Sequence, residues 1–333
     1  MTNKKSPAVV VIGGGTGSFT LLQALKNYTP HLTALVNMAD DGSSTGVLRD
    51  ELGVLPPGDV RRCLVALSRS PIVRDLFEYR FDEGVLKGHA FGNLFLAALE
   101  KMTGSFAEAV ETASEVLNVE GRVVPATLDN VRLKLMWPDK QLVLRSERVI
   151  DVEQFRYDPR QADISLEPAA KANPDALTAI ASADLVVIAP GDLYTSLGPI
   201  LVVDGFREAL QATTAKIAYV CNLVTKKGQT DGFSVATHAA EIERFVGAPV
   251  VDVVLYNTGE PAVDLLNRYA QEGEYWVKVN AETLHNAHYR LIGDDFLAST
   301  VADRASKSDP LAAHRTFIRH NAEKVAESLL ALL

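Results

Sequence analysis

The stretch VVVIGGGTGSFTLLQAL, residues 9–25, joins an apolar run to a glycine-rich turn and then to a helical pattern. That order presents main-chain amides to an anion at a helix N-terminus. Gly13 and Gly15 supply the first half of the G-x-G-x-x-G dinucleotide fingerprint, but its third position falls on Ser18. An NAD site also wants an acid at the tip of the second strand for the ribose hydroxyls, and Asn37 stands there. No Lys-Ser or Lys-Thr follows the glycines, as a P-loop would require. A dehydrogenase and a P-loop nucleotidase are therefore both disfavoured. What survives is bare helix-start amides, with the Thr16 and Ser18 hydroxyls, aimed at a phosphate or another anion. The competing reading, a tight turn that binds nothing, sits poorly with three consecutive glycines plus Gly17.

Four further loops carry polar groups. The second strand is followed by Asp40 and Asp41, a run of small residues, and then Arg49, Asp50 and Glu51. Paired carboxylates beside a phosphate turn repel the ligand unless a cation lies between them, which makes Asp40 and Asp41 candidate Mg²⁺ ligands. Asp-Asp-Gly-Ser is equally good turn chemistry, and both readings stand. His89 and Asn93 flank a glycine at a helix entrance, and Gly191, Tyr194, Thr195 and Ser196 follow a later strand. Asn222, Thr225, Thr230 and Asp231 follow the next, where Lys226 and Lys227 read as an exposed, solvated pair.

The elements that must position these loops are those of an α/β protein. Apolar runs at Val9 to Ile12 and Leu32 to Met38 flank a segment in which Ser18, Leu21, Leu22 and Leu25 follow helical spacing, giving β-α-β with a right-handed crossover. Asp59 is placed to cap a helix with the stripe Val60, Cys63, Leu64 and Leu67, and another helix begins near Gly92. Ser105 with Glu108 has capping-box spacing. From Gly121 the pattern becomes alternating, with Val131, Leu133, Leu135 and Trp137 between polar neighbours and a turn at Pro138-Asp139-Lys140, which predicts an antiparallel β insert over approximately 121–150. Parallel strands resume at Asp184 to Ala189, Lys216 to Cys221 and Val251 to Asn257, and Arg315 to Leu332 reads as an amphipathic helix.

The 333 residues, 47% hydrophobic and 23% charged, allow a sizeable core. A net charge of −9 gives no general attraction to phosphate backbones, so nucleic acid is a poor partner and an anionic ligand needs local donors. Cys63 and Cys221 lie in apolar patterns without metal-ligand spacing, as buried thiols do in a reducing compartment. No segment approaches the ~20 apolar residues that span a bilayer, and a cytoplasmic protein without membrane insertion is expected.

On GGGTG at 13–17, ADDGSSTGVLRDELGVLPPGD at 39–59, KGHAFGNLFLAAL at 87–99, PGDLYTSLGP at 190–199 and YVCNLVTKKGQTDG at 219–232, the chain resembles the YvcK/CofD-like family. It is more similar to the YvcK branch, also called gluconeogenesis factor, over nearly its whole length. The resemblance implies a Rossmann-like, doubly wound, mostly parallel, three-layer α/β fold forming a single domain over 1–333. It implies a cytoplasmic bacterial homodimer that binds UDP-sugars, UDP-N-acetylglucosamine above all, and is linked to cell shape and gluconeogenic growth through an unidentified protein partner. The branch has no established reaction, whereas its CofD relatives are Mg²⁺-dependent transferases that move a phospholactate-type group from a nucleotide donor.

Carried over by motif, Gly14, Gly15, Thr16 and Gly17 would meet the ligand's phosphates. Asp40 and Asp41 would hold metal or sugar, and Asn93, Tyr194, Thr195 and Asn222 would line the pocket. Tyr269 and Arg319 are added by similarity of the C-terminal pattern. The chain departs from the family pattern at Ser43, where a glycine is usual, at Asp192, where a serine is expected, and at Lys226-Lys227, where Gln-Pro is usual. The negative charge of Asp192 points that nest toward metal or sugar hydroxyls. The preferred reading is a nucleotide-sugar sensor, and its rival is the Mg²⁺-dependent transferase.

Overall fold

An uninterrupted run of Val9, Val10, Val11 and Ile12 needs cover on both faces, which a parallel sheet between helical layers provides. Residues 6–280, 287–298 and 318–333 are described by the computed structural model. The first half of the chain runs β1 (Val9–Gly13), α1 (Gly15–Leu25), β2 (Leu32–Val36), α2 (Ser43–Leu52), α3 (Pro57–Leu67), α4 (Pro71–Glu78), α5 (Phe91–Thr103), α6 (Phe106–Val116) and β3 (Arg122–Pro125). A small element follows: β4 (Arg132–Trp137), β5 (Leu142–Arg145), α7 (Glu147–Val152) and β6 (Asp163–Glu167). The second half continues with α8 (Pro174–Ala181), β7 (Leu185–Ile188), a π-helical turn at Leu193–Leu197, α9 (Gly198–Leu201), α10 (Phe206–Ala212) and β8 (Lys216–Val220). It ends with α11 (Val235–Val246), β9 (Val253–Asn257), α12 (Val263–Glu272), β10 (Arg290–Asp294) and α13 (Ala322–Leu330).

The main sheet has seven parallel strands in the order β10-β9-β8-β7-β1-β2-β3. The chain winds outward from β1 through β2 to β3, then returns to β7 and winds the other way, so the strand order reverses between β1 and β7. A doubly wound sheet leaves its ligand crevice at that point, beyond the carboxyl ends of the strands. Alternate β1 residues feed two cores. Val9 and Val11 pack with α1, α3, α5, α6 and α13, and Val10 and Ile12 pack with α8, α10, α11 and the small sheet. The expected three-layer fold is borne out.

The antiparallel element has different bounds from those expected. Arg122–Pro125 belongs to the main sheet, with Thr33 opposite Arg122 and Val36 opposite Pro125. The insert is the three-stranded sheet β5-β4-β6, which ends at Glu167 instead of near 150. Val123 and Val124 are both buried, the mark of a two-sided strand, whereas Leu133, Leu135 and Trp137 alternate with more exposed neighbours. The sixth strand escaped detection because Asp163–Glu167 carries only Ile164 and Leu166 as apolar residues.

Two other expectations changed locally. Asp59 lies in the first turn of α3 instead of capping it, because Pro56 holds the N-cap and Pro57 opens the helix. The closing helix runs Ala322–Leu330, started by the Asn321 side chain accepting from the Lys324 amide, and the expected start at Arg315 lies outside the described residues. Ser105 caps α6 as its spacing predicts. Both cysteines are buried, and burial pushes the Cys221 thiol up to about 12.

The reversal point depends on close backbone packing. A Cβ on Gly17 would stand 2.0 Å from the Pro190 carbonyl oxygen and 2.9 Å from its carbon. Neither is the movable end of a side chain. Gly17→Ala is expected to destabilise the protein by about 2–4 kcal/mol, as overpacking and strain do, and equilibrium chemical denaturation measures this.

Candidate functional site

The loops after β1, β2, β7 and β8 meet α7 and Ile318–His320 around a cleft of about 860 Å³. Gly14, Gly15, Thr16, Gly17, Asp40, Asn93, Thr195, Asn222 and Arg319, all expected at the site, line it together. Tyr194, Asp41 and Tyr269, expected there as well, do not.

The glycine turn is formed because Gly15 takes φ +71°, in the region that excludes most side chains. Its amide is not bare: it donates to Asp59 Oδ1 at 3.1 Å. The amides of Thr16 and Gly17 follow in the first helical turn, where a helix offers no acceptor of its own. Arg62 donates to the Thr16 hydroxyl at 3.4 Å, and Arg61 and Arg80 lie in the same wall. Ser18 faces inward, its hydroxyl donating to the Gly14 carbonyl at 3.4 Å, so it offers nothing to a ligand.

Arg61 is buried, donating from Nε to Asn93 Oδ1 at 2.9 Å, while Asn93 Nδ2 donates to Ser44 Oγ at 3.0 Å. Burial, then repulsion from Arg62 and Arg80, lowers its pKa to about 10, so it remains a cation at neutral pH. Asn93 therefore fixes this guanidinium beside α2. His89 lies outside the cleft lining.

The acidic side of the cleft differs from expectation. Asp41 is spent on structure, with Oδ1 accepting from the Arg148 amide at 2.7 Å and Oδ2 from Arg132 Nη1 at 2.9 Å. Asp40 turns into the cleft instead, near Asp59 and Glu147. Buried Arg49 fixes this loop, donating to the Asp40 carbonyl at 2.9 Å and to the Val131 carbonyl at 2.6 Å.

The three carboxylates meet little water except through the cleft, and each is pushed up. Burial, followed by repulsion from Asp59, raises Asp40 to about 7 against opposing contacts from Gly42, Thr45 and Arg62. Burial also raises Asp59, opposed chiefly by Arg62 and the Gly15 amide. Glu147 is raised to about 9 by burial and then by Asp40, Asp151, Asp41 and Asp59.

Mg²⁺ commonly takes one or two carboxylates and completes its shell with water and phosphate oxygens. Asp40 and Asp59 fit such a role, and Asp41 does not. Among the described residues no group of three or more His, Cys, Asp or Glu side chains is arranged to cage a metal alone.

The opposite wall is built on the loops after β7 and β8. Asn222 accepts from the Gly191 amide at 3.1 Å and donates to the Gly191 carbonyl at 2.9 Å, pinning one loop to the other. Thr195 accepts from Asn37 Nδ2 through its carbonyl at 3.2 Å and donates from its hydroxyl to Asp151 at 3.3 Å. Lys226, read from sequence as exposed, reaches inward to Asp192 at 2.8 Å and to Asp151. Burial works to lower its pKa, but Asp192 and Asp151 outweigh it and raise the value to about 12.

Tyr194 is wholly buried, donating to Glu241 at 2.7 Å between the rings of Phe155 and Phe245, so it belongs to the core. Tyr269 acts one step back, its hydroxyl accepting from the Ile318 amide at 3.2 Å and so helping to place Arg319 and His320. Burial holds His320 down to about 4, so a neutral imidazole lines the cleft.

Sequence reasoning missed Arg61, Arg62, Glu147, Arg148 and Asp151. Two adjacent arginines inside the apolar VRRCLVAL pattern were a usable signal, since a buried arginine needs a partner or a purpose. The α7 residues carried none, because they reach the cleft only through the path of the small sheet.

The fold and cleft define a doubly wound α/β protein whose strand-end crevice sets a glycine turn and arginines against confined carboxylates. The chain belongs to the CofD family, whose model, described as 2-phospho-L-lactate transferase CofD, matches residues 9–297. It is 40% identical over 336 residues to the gluconeogenesis factor of Listeria innocua, covering 100% of this chain and 98% of that protein. It is 39% identical over 333 residues to the gluconeogenesis factor of Halalkalibacterium halodurans, covering 98% and 96%. A crystal structure of a UPF0052 family member from Bacillus halodurans matches with a TM-score of 0.88 at 37% identity, covering 98% of this chain and 100% of that one.

The confined carboxylates predict a pH signature. Glu147 titrates near 9 in the folded chain against an ordinary 4.5, so the native state holds a proton that the unfolded chain releases across that window. Native stability is lost as pH rises through it. Glu147→Gln is expected to match the wild type below the window and to be more stable at pH 8 by about 1 kcal/mol or more, read from denaturation curves at both pH values.

Proposed function

We propose that the cleft binds a nucleoside diphosphate sugar of the UDP-N-acetylglucosamine type, and that the chain is a cytoplasmic regulator of carbon metabolism and cell shape acting through its occupancy. The observation that carries this reading is one continuous cleft lining with two chemistries. The first turn of α1 with Arg62 suits a diphosphate, and the Pro190–Asp192 backbone that touches this turn leads directly to polar groups suited to a sugar. The gluconeogenesis factor names of the relatives agree with it. A homodimer, and a protein partner that reads the occupied state, complete the proposal. Among the described residues no helix is long and apolar enough to cross a membrane.

Convergence of Asp40 and Asp59 beside the glycine turn favours a second reading. It is a CofD-like transferase in which these residues hold Mg²⁺ and the turn neutralises the phosphates of a phospholactate-type nucleotide donor.

Thermal shift separates the two. A ligand at ~100 times its dissociation constant adds about 2.7 kcal/mol of stability. UDP-N-acetylglucosamine is expected to raise the melting temperature without Mg²⁺ and without turnover, and Asp40→Asn should retain that shift. A shift confined to GDP or GTP with Mg²⁺, lost in Asp40→Asn, selects the transferase. No shift with any of these overturns both.

A further inference from the structure

Lys226 has three donors and spends two of them on Asp151 and Asp192. All three side chains line the cleft, and the carboxylates are 40% and 41% exposed, so each keeps lone pairs open to a ligand. Glu274 lines the same end, close enough for Asp192 to disfavour its ionisation. One ammonium thus bridges two carboxylates, with the Glu274 carboxyl group at the same end. The ammonium itself occupies the place between Asp151 and Asp192.

The subsite adjoins the glycine turn. Asp192 is two residues beyond Pro190, whose carbonyl lies against Gly17, and Asp151 is tied to the same strand-end loop through Thr195. A group attached to a phosphate on the turn comes next to this charged triad.

Resting on the nucleotide-sugar reading, we propose that Asp151, Lys226 and Asp192 form a specificity subsite that accepts a neutral, polyhydroxylated sugar ring and rejects a ring bearing a carboxylate or a further phosphate. A hydroxyl donates to a carboxylate and accepts from the remaining ammonium proton, satisfying both. An added anion meets the Asp151 and Asp192 carboxylates for the single Lys226 ammonium, and like-charge juxtaposition is an effective way to refuse a wrong ligand.

The experiment compares dissociation constants for UDP-glucose and UDP-glucuronate by calorimetry, on the wild type, Asp192→Asn and Lys226→Gln. The wild type is expected to prefer UDP-glucose by about tenfold or more, Asp192→Asn to narrow that ratio about tenfold, and Lys226→Gln to widen it. The sign of the change separates a specificity role from simple loosening, which would weaken both ligands alike. A wild type that binds the two equally, or ratios that stay constant across the variants, overturns this inference while leaving the nucleotide-sugar reading intact. A wild type that binds neither overturns both.

Discussion

Carboxylates resist confinement with one another, and Asp40, Asp59 and Glu147 are confined together at the strand-end cleft. Solvent cannot fully screen them, so the loops that carry them must be held by something stronger than their own preference. Arg49 ties the Asp40 backbone to Val131, the first turn of α3 carries Asp59, and the Asp41 carboxylate fastens α7 through the Arg148 amide. Each of these tethers uses a backbone group or a buried cation, and Asp40 and Asp59 each add one backbone amide, those of Gly42 and Gly15. The arrangement places a destabilising cluster on a rigid frame, as expected where charge is kept for a ligand and not for the fold.

The two sides of the cleft handle negative charge differently. Near the glycine turn, arginines line the wall beside carboxylates that burial and mutual repulsion hold toward the neutral form. Beside them, where the loops after β7 and β8 meet α7, Lys226 keeps Asp151 and Asp192 in a fixed geometry. Asp192 and Lys226, two of the positions where the sequence resemblance led to other residues being expected, contact each other. The negative charge at position 192 is balanced by the positive charge at position 226.

Much of the fold was legible because parallel strands and their helices write their period locally. Val9 to Ile12, the spacing of Leu21, Leu22 and Leu25, and the Ser105 cap needed no tertiary context. The site was legible where it is made of glycines and hydroxyls in loops, at 14–17, Thr195 and Asn222. It was illegible where a long path decides direction. Neighbouring Asp40 and Asp41 point to different fates because Arg132 arrives from β4, and Tyr194 turns inward because Glu241 and Phe245 wait on α11. No spacing within a loop reports what a distant element will bring to it.

Asp59 already rests on the Gly15 amide in the free chain. One of the helix-start amides therefore carries a built-in occupant, while those of Thr16 and Gly17 stay open beside a carboxyl group that burial holds toward its neutral form. A proton or a cation that draws Asp59 aside would add the Gly15 amide to those two, so the donor count of the turn is set by the charge on its neighbour.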